Sequence, residues 1–463
     1  MSYEAAGVFA MSVLIALCLW VVTSAWAVSD SRKTKRSIKW TIISLVPLIG
    51  PLFYHVSKEK KPPLQCIAGI MRKNWPAIAI IIIILLSMYV RLIDYRWPYL
   101  RNIDSYTFYR SMDEIVMNDG IIPLRDELIM APNGAPGLGG MNPYIYLGAY
   151  AYMLVSKFVN ITLAEFLVYF PPFLASLAII PLYFIGKMLY DRKAGILAAF
   201  IYIFDINNLA RSLGGDPDSD AIIFLISMIT VMALLFTYKY STGESRISKK
   251  LILYSVLTGI TVGVWFNSWA GYWYIFWLFT GLVILRLVFN VLEGKNLKKG
   301  ILKSKFVLTS FLIYMCIGFA IGVISFDFGV VPGAIFGPIQ FQSIKGEDYQ
   351  FPNVYVSVAE LQQGGGFQDV IARTSVVGGV GILISPFFML MYTLIYLMYS
   401  YYKRREHIDT LLLLAIWFIG PLLATTIAVR FSVLFSAPLA IGSAIFLSKI
   451  IRVASGEDKG VGE

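Results

Sequence analysis

Apolar runs of roughly 20 residues, separated by short polar turns, recur along the whole chain. Wound as helices, runs of that length cross the roughly 30 Å hydrocarbon core of a bilayer. The pattern predicts spans at 78–89, 163–186, 194–210, 221–238, 251–266, 273–290, 306–327, 375–402, 411–428 and 431–450. Two stretches, 94–160 and 328–374, are too polar for lipid and read as long loops. Within the first, 142–158 has a helical look but alternates with Tyr and carries Lys157 near its end. It is assigned to a helix lying on the membrane surface.

The turns give the orientation. Lys187, Arg192 and Lys193 form one basic turn, Lys239, Arg246, Lys249 and Lys250 a second, and Lys295, Lys298, Lys299, Lys303 and Lys305 a third. Lys403, Arg404 and Arg405, then Lys449 and Arg452, complete the series. In this topology all of them fall on one side and both long loops on the other. Basic turns stay cytoplasmic, so the long loops are external. A span at 142–158 would reverse every later turn. Near the N-terminus, basic residues flank both ends of 40–55, and the Pro47-Leu48-Ile49-Gly50-Pro51 break suggests a re-entrant hairpin. The first apolar run, 5–28, is too long for the core of a cleavable signal and lacks a basic leader.

Composition sharpens this to an all-α polytopic membrane protein. Of 463 residues, 58% are hydrophobic and 14% charged, and the mean hydropathy is +0.70. Soluble domains have about 45–50% apolar and about 25% charged residues. A soluble enzyme, a disordered chain and a disulfide scaffold are excluded. The net charge of +11 lies mostly in the turns, and no nucleic-acid partner is implied. Cys18, Cys66 and Cys316 sit in or beside apolar runs and form no disulfide framework. With only His55 and His407 as imidazoles, a metal here needs carboxylates.

The carboxylates gather on the external side. Asp104 lies just beyond the first firm span. Gly214-Gly215-Asp216-Pro217-Asp218-Ser219-Asp220 places three at alternate positions, and Glu360 stands in the second long loop. Oxygen donors suit Mg²⁺ or Mn²⁺, and crowded carboxylates repel unless a cation sits among them. Arg430 ends a span at the same depth, where a guanidinium suits a phosphate. Read singly, each feature has a plainer account: the Asp residues as solvated groups or helix caps, the aromatics of 265–273 as an interfacial belt, and Arg430 as a snorkelling side chain. All of them occupying one membrane face favours a site.

The order of these motifs resembles a family. An Asp followed by aromatics and Arg in the first loop precedes Arg211-Ser212-Leu213-Gly214-Gly215-Asp216-Pro217-Asp218-Ser219-Asp220. Then come Asn267-Ser268-Trp269-Ala270-Gly271-Tyr272, Ser357-Val358-Ala359-Glu360, and Arg430-Phe431 at a late turn. From about residue 75 to 450 this resembles the catalytic subunit of oligosaccharyltransferase, archaeal and eukaryotic branch, a type-C glycosyltransferase. The resemblance implies a helical bundle with two long external loops, in the cell (plasma) membrane, its active site on the external face. It implies transfer of a glycan from a polyprenol (dolichol)-phosphate-linked donor to an acceptor Asn of a polypeptide, with inversion. It also implies catalytic roles for Asp104 and Glu360, a divalent cation (Mn²⁺ or Mg²⁺) held by Asp104, Asp218, Asp220 and Glu360, and a lipid phosphate at Arg430. Transfer to a lipid or hydroxyl acceptor, and a non-catalytic role binding lipid-linked sugars, are the alternatives.

Three departures qualify the resemblance. Full-length members end in a soluble domain with a Trp-Trp-Asp-Tyr-Gly motif that reads the acceptor sequon, and this sequence has no such motif. The pattern counts one hairpin fewer than the family before the second long loop, and it leaves the C-terminus inside. A partner chain supplying the reader is one expectation. The organisation expected is a two-helix membrane module at 1–61, the glycosyltransferase-like domain at 75–450 and a short polar tail at 451–463.

Overall fold

The computed structural model describes residues 63–95, 99–121, 125–127, 131–136, 142–244, 246–344, 367–374 and 383–456. The expected module at 1–61 and its hairpin lie outside the described residues, as do Glu360 with its motif and the last residues of the tail. The chain divides into two compact units, Met1–Ala79 with Phe158–Asn160, and Ile80–Lys157 with Ile161–Glu463. Apart from residues 63–79, the fold described below belongs to the second.

Among the described residues its regular structure is helical, apart from a two-residue ladder pairing Arg125–Asp126 with Ala135–Pro136. Helix α1 (Pro63–Leu92) breaks its dihedrals at Asn74, ahead of Pro76. Proline lacks an N–H and crowds the carbonyl four residues back. Next come α2 (Ile103–Met117) and α3 (Pro143–Val155). Asn142 caps α3 by accepting the Tyr144 N–H. At 13 residues α3 is too short to cross a bilayer, as the charge pattern requires. The capping box of Thr162 and Glu165 starts α4 (Leu163–Leu177). It runs on into α5 (Ile179–Leu189) as one apolar stretch of 27 residues.

The expected span at 194–210 is cut in two. Helix α6 (Arg192–Ile203) has 12 residues and α7 (Ile206–Leu209) has four. The cause is Asp205, whose carboxylate accepts the Asn208 N–H at 3.0 Å and starts a new helix where the old one would continue.

Long helices follow: α8 (Asp220–Thr242), α9 (Lys249–Phe266), α10 (Trp273–Gly294) and α11 (Leu297–Ser325), then α12 (Val330–Ile344) and α13 (Phe367–Thr374). The chain closes with α14 (Pro386–Arg404), α15 (Ile408–Ile427), a 3₁₀ turn over Val429–Phe435 and α16 (Ser436–Ala454). Of the expected span at 375–402, residues 375–382 lie outside the described ones. The rest forms α14, which starts at a proline and carries five Tyr. Among the described residues, eight helical stretches are long and apolar enough to cross a membrane. The protein is a multi-pass membrane protein.

Packing inside the bundle relies on small residues and hydroxyls, since lipid offers no hydrophobic drive between helices. Gly259 and Gly263 of α9 face Gly318 and Gly322 of α11. A Cβ at Gly263 would come within 2.6 Å of the Ile321 side chain, and one at Gly318 within 2.5 Å of Val262. The Thr237 and Thr258 hydroxyls meet at 2.8 Å between α8 and α9. The central core joins α4–α6, α8–α11, α15 and α16 through residues such as Ile179, Tyr202, Leu234, Phe279, Trp417 and Ile441.

Candidate active site

The loop 211–219, between α7 and α8, organises the site. Its backbone is tied on several sides. The Gly214 N–H donates to the Arg91 carbonyl at 2.9 Å, and the Gly215 N–H to the Val168 carbonyl at 3.2 Å. The Gly215 carbonyl accepts the Arg101 N–H at 2.7 Å. Gly215 has φ +77°, and a Cβ there would lie 2.5 Å from the Tyr95 ring. Only glycine meets both demands.

This framework brings Asp104 to the acidic loop. Asp104 sits exposed in the first turn of α2. Its neighbour Ser105, fully buried, donates to Asp216 Oδ1 at 2.9 Å. Asp218 accepts the Ser219 hydroxyl at 3.1 Å. Burial first, and then the charge of Asp220, hold the Asp218 carboxyl up at about 6. The Asp216 carboxyl is also raised, chiefly by burial, although the Ser105 hydrogen bond opposes the shift. Beneath them the Tyr144 side chain is wholly buried, and its hydroxyl has no hydrogen-bond partner among the described residues. Burial, with Asp218 next, raises that phenol well above its ordinary value.

Asp220 faces the other way. One carboxylate oxygen takes Arg211 Nη1 at 2.8 Å and the other takes Arg430 Nη2 at 3.4 Å. The Asp220 side chain is 9% exposed, against 20% and 30% for the two arginines. The acid is therefore the buried hinge of the trio, and the guanidiniums are its accessible arms. Arg430 is held by its neighbour: Phe431 is buried with its ring 6.3 Å from Trp269 and 5.6 Å from Trp273. The Trp265 indole N–H donates to the Tyr272 carbonyl at 2.9 Å and closes the turn that carries Trp269. All three members of the trio line a cavity whose wall is otherwise mainly apolar and aromatic, with Trp265, Trp269, Tyr274 and Trp417.

The structure thus brings Asp218, Asp220 and Arg430 together and sets Asp104 near Asp216, while Glu360 lies outside the described residues. Among the described residues, no three His, Cys, Asp or Glu side chains converge as a metal centre. The donor chemistry still fits a hard cation. The available donors are carboxylate oxygens, and a buried carboxylate held up at about 6 beside another acid is relieved by a nearby positive charge. Arg211, Tyr144 and Trp417 were not singled out in the sequence. Arg211 opens the motif that contains Asp218 and Asp220, and that position was a usable signal. Tyr144 and Trp417 read as ordinary apolar helix residues.

The family described as oligosaccharyl transferase STT3, N-terminal, matches residues 75–457. The chain belongs to the STT3 oligosaccharyl transferase family. A Pyrococcus horikoshii relative, a dolichyl-phosphooligosaccharide-protein glycotransferase, is 24% identical over 418 residues, which is 78% of this chain and 41% of the relative. The archaeal oligosaccharyltransferase from Archaeoglobus fulgidus, solved with an inhibitory peptide and a dolichol-phosphate, superposes with a TM-score of 0.58 at 19% identity. That match covers 85% of this chain and 53% of that one. Another structure from the same organism, a complex with Zn and sulfate, gives 0.57 at 21% identity, over 82% of this chain and 50% of that one. This STT3-family chain spans about half or less of the length of these relatives, and the likeness to the solved structures is one of fold.

Proposed function

We propose that this chain transfers a glycan from a polyprenol-phosphate-linked donor to an acceptor Asn of protein, with inversion, at the external face of the cell membrane and with the help of Mn²⁺ or Mg²⁺. The observation that carries this reading is the Arg211–Asp220–Arg430 trio set in the wall of an apolar, aromatic cavity. An isoprenoid tail fits the apolar wall, and its phosphate fits the paired guanidiniums. Membership of the STT3 family supports the reaction type.

The chemistry follows from the charges. In the transfer the acceptor amide nitrogen bonds to the anomeric carbon, and the bond from that carbon to the phosphate oxygen breaks. The electron pair leaves with the phosphate, where Arg430 and Arg211 meet the growing charge. An amide nitrogen is a poor nucleophile because its lone pair is delocalised. Asp104 and Glu360 accept hydrogen bonds from its N–H groups, and one of them takes the proton it loses. Asp104, Asp218 and Glu360 would hold the divalent cation, with Asp220 turned towards the arginines. When bound, that cation supplies positive charge for the leaving phosphate.

The test is transfer to a labelled Asn-x-Thr peptide by purified protein with native lipid extract and Mn²⁺. Asp104→Ala, Glu360→Ala or EDTA is expected to remove transfer. Absence of transfer by the unaltered protein, from a donor proven active with another enzyme, overturns the stand-alone reading.

A further inference from the structure

Among the described residues, Arg91 is the largest buried charged side chain that the proposed reaction does not use. It lies in the last turn of α1, and its side chain is fully buried. Nε donates to the Ser212 hydroxyl at 2.9 Å, Nη1 to the Ser87 hydroxyl at 2.6 Å, and Nη2 to the Asn208 side-chain carbonyl at 3.0 Å. All three acceptors are uncharged. A guanidinium at the edge of a membrane span is costly to bury, and such residues are usually functional. Holding α1 in place does not require one.

The connections of Arg91 say what it does. Its side chain grips Ser212, and its carbonyl accepts the Gly214 N–H at 2.9 Å. One residue therefore holds both ends of the Ser212–Leu213–Gly214 turn. Arg211, which meets Asp220, precedes that turn, and Asp216 and Asp218 follow it. The Ser212 hydroxyl spends its proton on the Asn208 carbonyl at 2.8 Å, so towards Arg91 it can only accept. A guanidinium has donors only, so the bond runs from Arg91 to Ser212. The planar fork of Arg reaches Ser87, Ser212 and Asn208 at once, whereas the ammonium of Lys is a point charge on a flexible stem.

We propose that Arg91 is a positioning residue for the transfer reaction: acting through Ser212, it fixes the register of the loop that carries Arg211 and Asp218. This rests on the glycan-transfer reading for its effect on rate, but not for its effect on the loop.

The experiment uses the full chain in detergent, with Arg91→Lys, Ser212→Ala and the double variant. The first readout is amide hydrogen exchange across 211–219 and across α8. Both single variants are expected to speed exchange in the loop about tenfold or more and to leave α8 unchanged. The second is peptide transfer, where kcat is expected to fall about tenfold at unchanged KM in each single variant. The double variant should fall no further, because the two residues act as one unit. An unchanged loop, exchange that rises through the whole bundle, an unchanged kcat behind a loosened loop, or additive losses would each overturn the proposal. If Arg91→Lys does not fold, Ser212→Ala decides alone, since it leaves Arg91 bonded to Ser87 and Asn208. If the unaltered protein shows no transfer from an active donor, the functional reading fails and the exchange data alone settle whether Arg91 holds the loop.

Discussion

Helices α8 and α15 are joined near both ends, and the two joints differ in kind. At one end Asp220, the first residue of α8, meets Arg430 in the turn after α15, with Arg211 on its other oxygen. At the other end, Tyr238 near the close of α8 donates to Asp409 at 2.6 Å in the first turn of α15, and Arg286 of α10 reaches the same acid at 3.3 Å. The second joint sets one acid against a hydroxyl and a guanidinium, with no other carboxylate in either bond. It is a brace. The first stands beside Asp216 and Asp218, whose carboxyls are pushed up, and it lines a cavity. Similar ion pairs make a brace when the charges are matched, and a site when negative charge is left over beside an accessible space.

The largest test of that contrast is a pair of substitutions. Asp220→Ala strips a buried acid from between two guanidiniums, a change worth about 3–5 kcal/mol. It is expected to cut kcat/KM for peptide transfer by at least about 100-fold. Asp409→Ala, at a partly exposed acid, should lower stability by less than that and keep transfer per folded molecule within about threefold. If the losses fall the other way round, brace and site have been exchanged. A smaller effect is expected from Tyr238→Phe, which removes a hydroxyl bonded to a charged acid. Thermal or denaturant unfolding should show a loss of about 1.5–3 kcal/mol, with kcat unchanged.

The smallest effect concerns pH. The Asp218 carboxyl ordinarily titrates near 3.8 and in the folded protein does so at about 6. Its folded value is raised, so its contribution to stability is complete below pH 3.8 and is lost as pH climbs through about 6. In EDTA the thermal midpoint should drop by about 2 °C across that window. Added Mn²⁺ should shrink the drop, and Asp409→Asn should leave it in place. A flat profile in EDTA would mean that the crowding at the Asp220 end has no energetic weight.

The contrast also explains what could be read in the sequence. Because a continuous apolar run leaves the backbone no partner but itself in lipid, spans such as 221–238, 251–266 and 273–290 fall within α8 to α10, and 306–327 overruns the end of α11 by two residues. The division of 194–210 into α6 and α7 depends on one carboxylate, Asp205, bonding its own backbone at Asn208, and hydropathy averages such a residue away. Asp104, Asp218, Asp220 and Arg430 stood out as charges bordering apolar runs. Arg91 did not, because its three acceptors come from Ser87, Asn208 and Ser212, and two of those lie more than a hundred residues further along the chain. Tyr144 was invisible for the opposite reason: its environment is defined by what its hydroxyl lacks.

The stretch from Asp205 to Asp220 shows a further property. Asp205 fixes its start on Asn208 and on Ser436. Arg91, Val168 and Arg101 fix its middle, Ser105 grips Asp216, and α8 begins at Asp220. No slack is left between consecutive anchors. An inserted residue would have to be absorbed by turning α8 about 100° or sliding it about 1.5 Å, which would point Asp220 away from both arginines. This segment is therefore length-locked: apart from the identity of its residues, the number of residues between Asp205 and Asp220 is itself part of the working design.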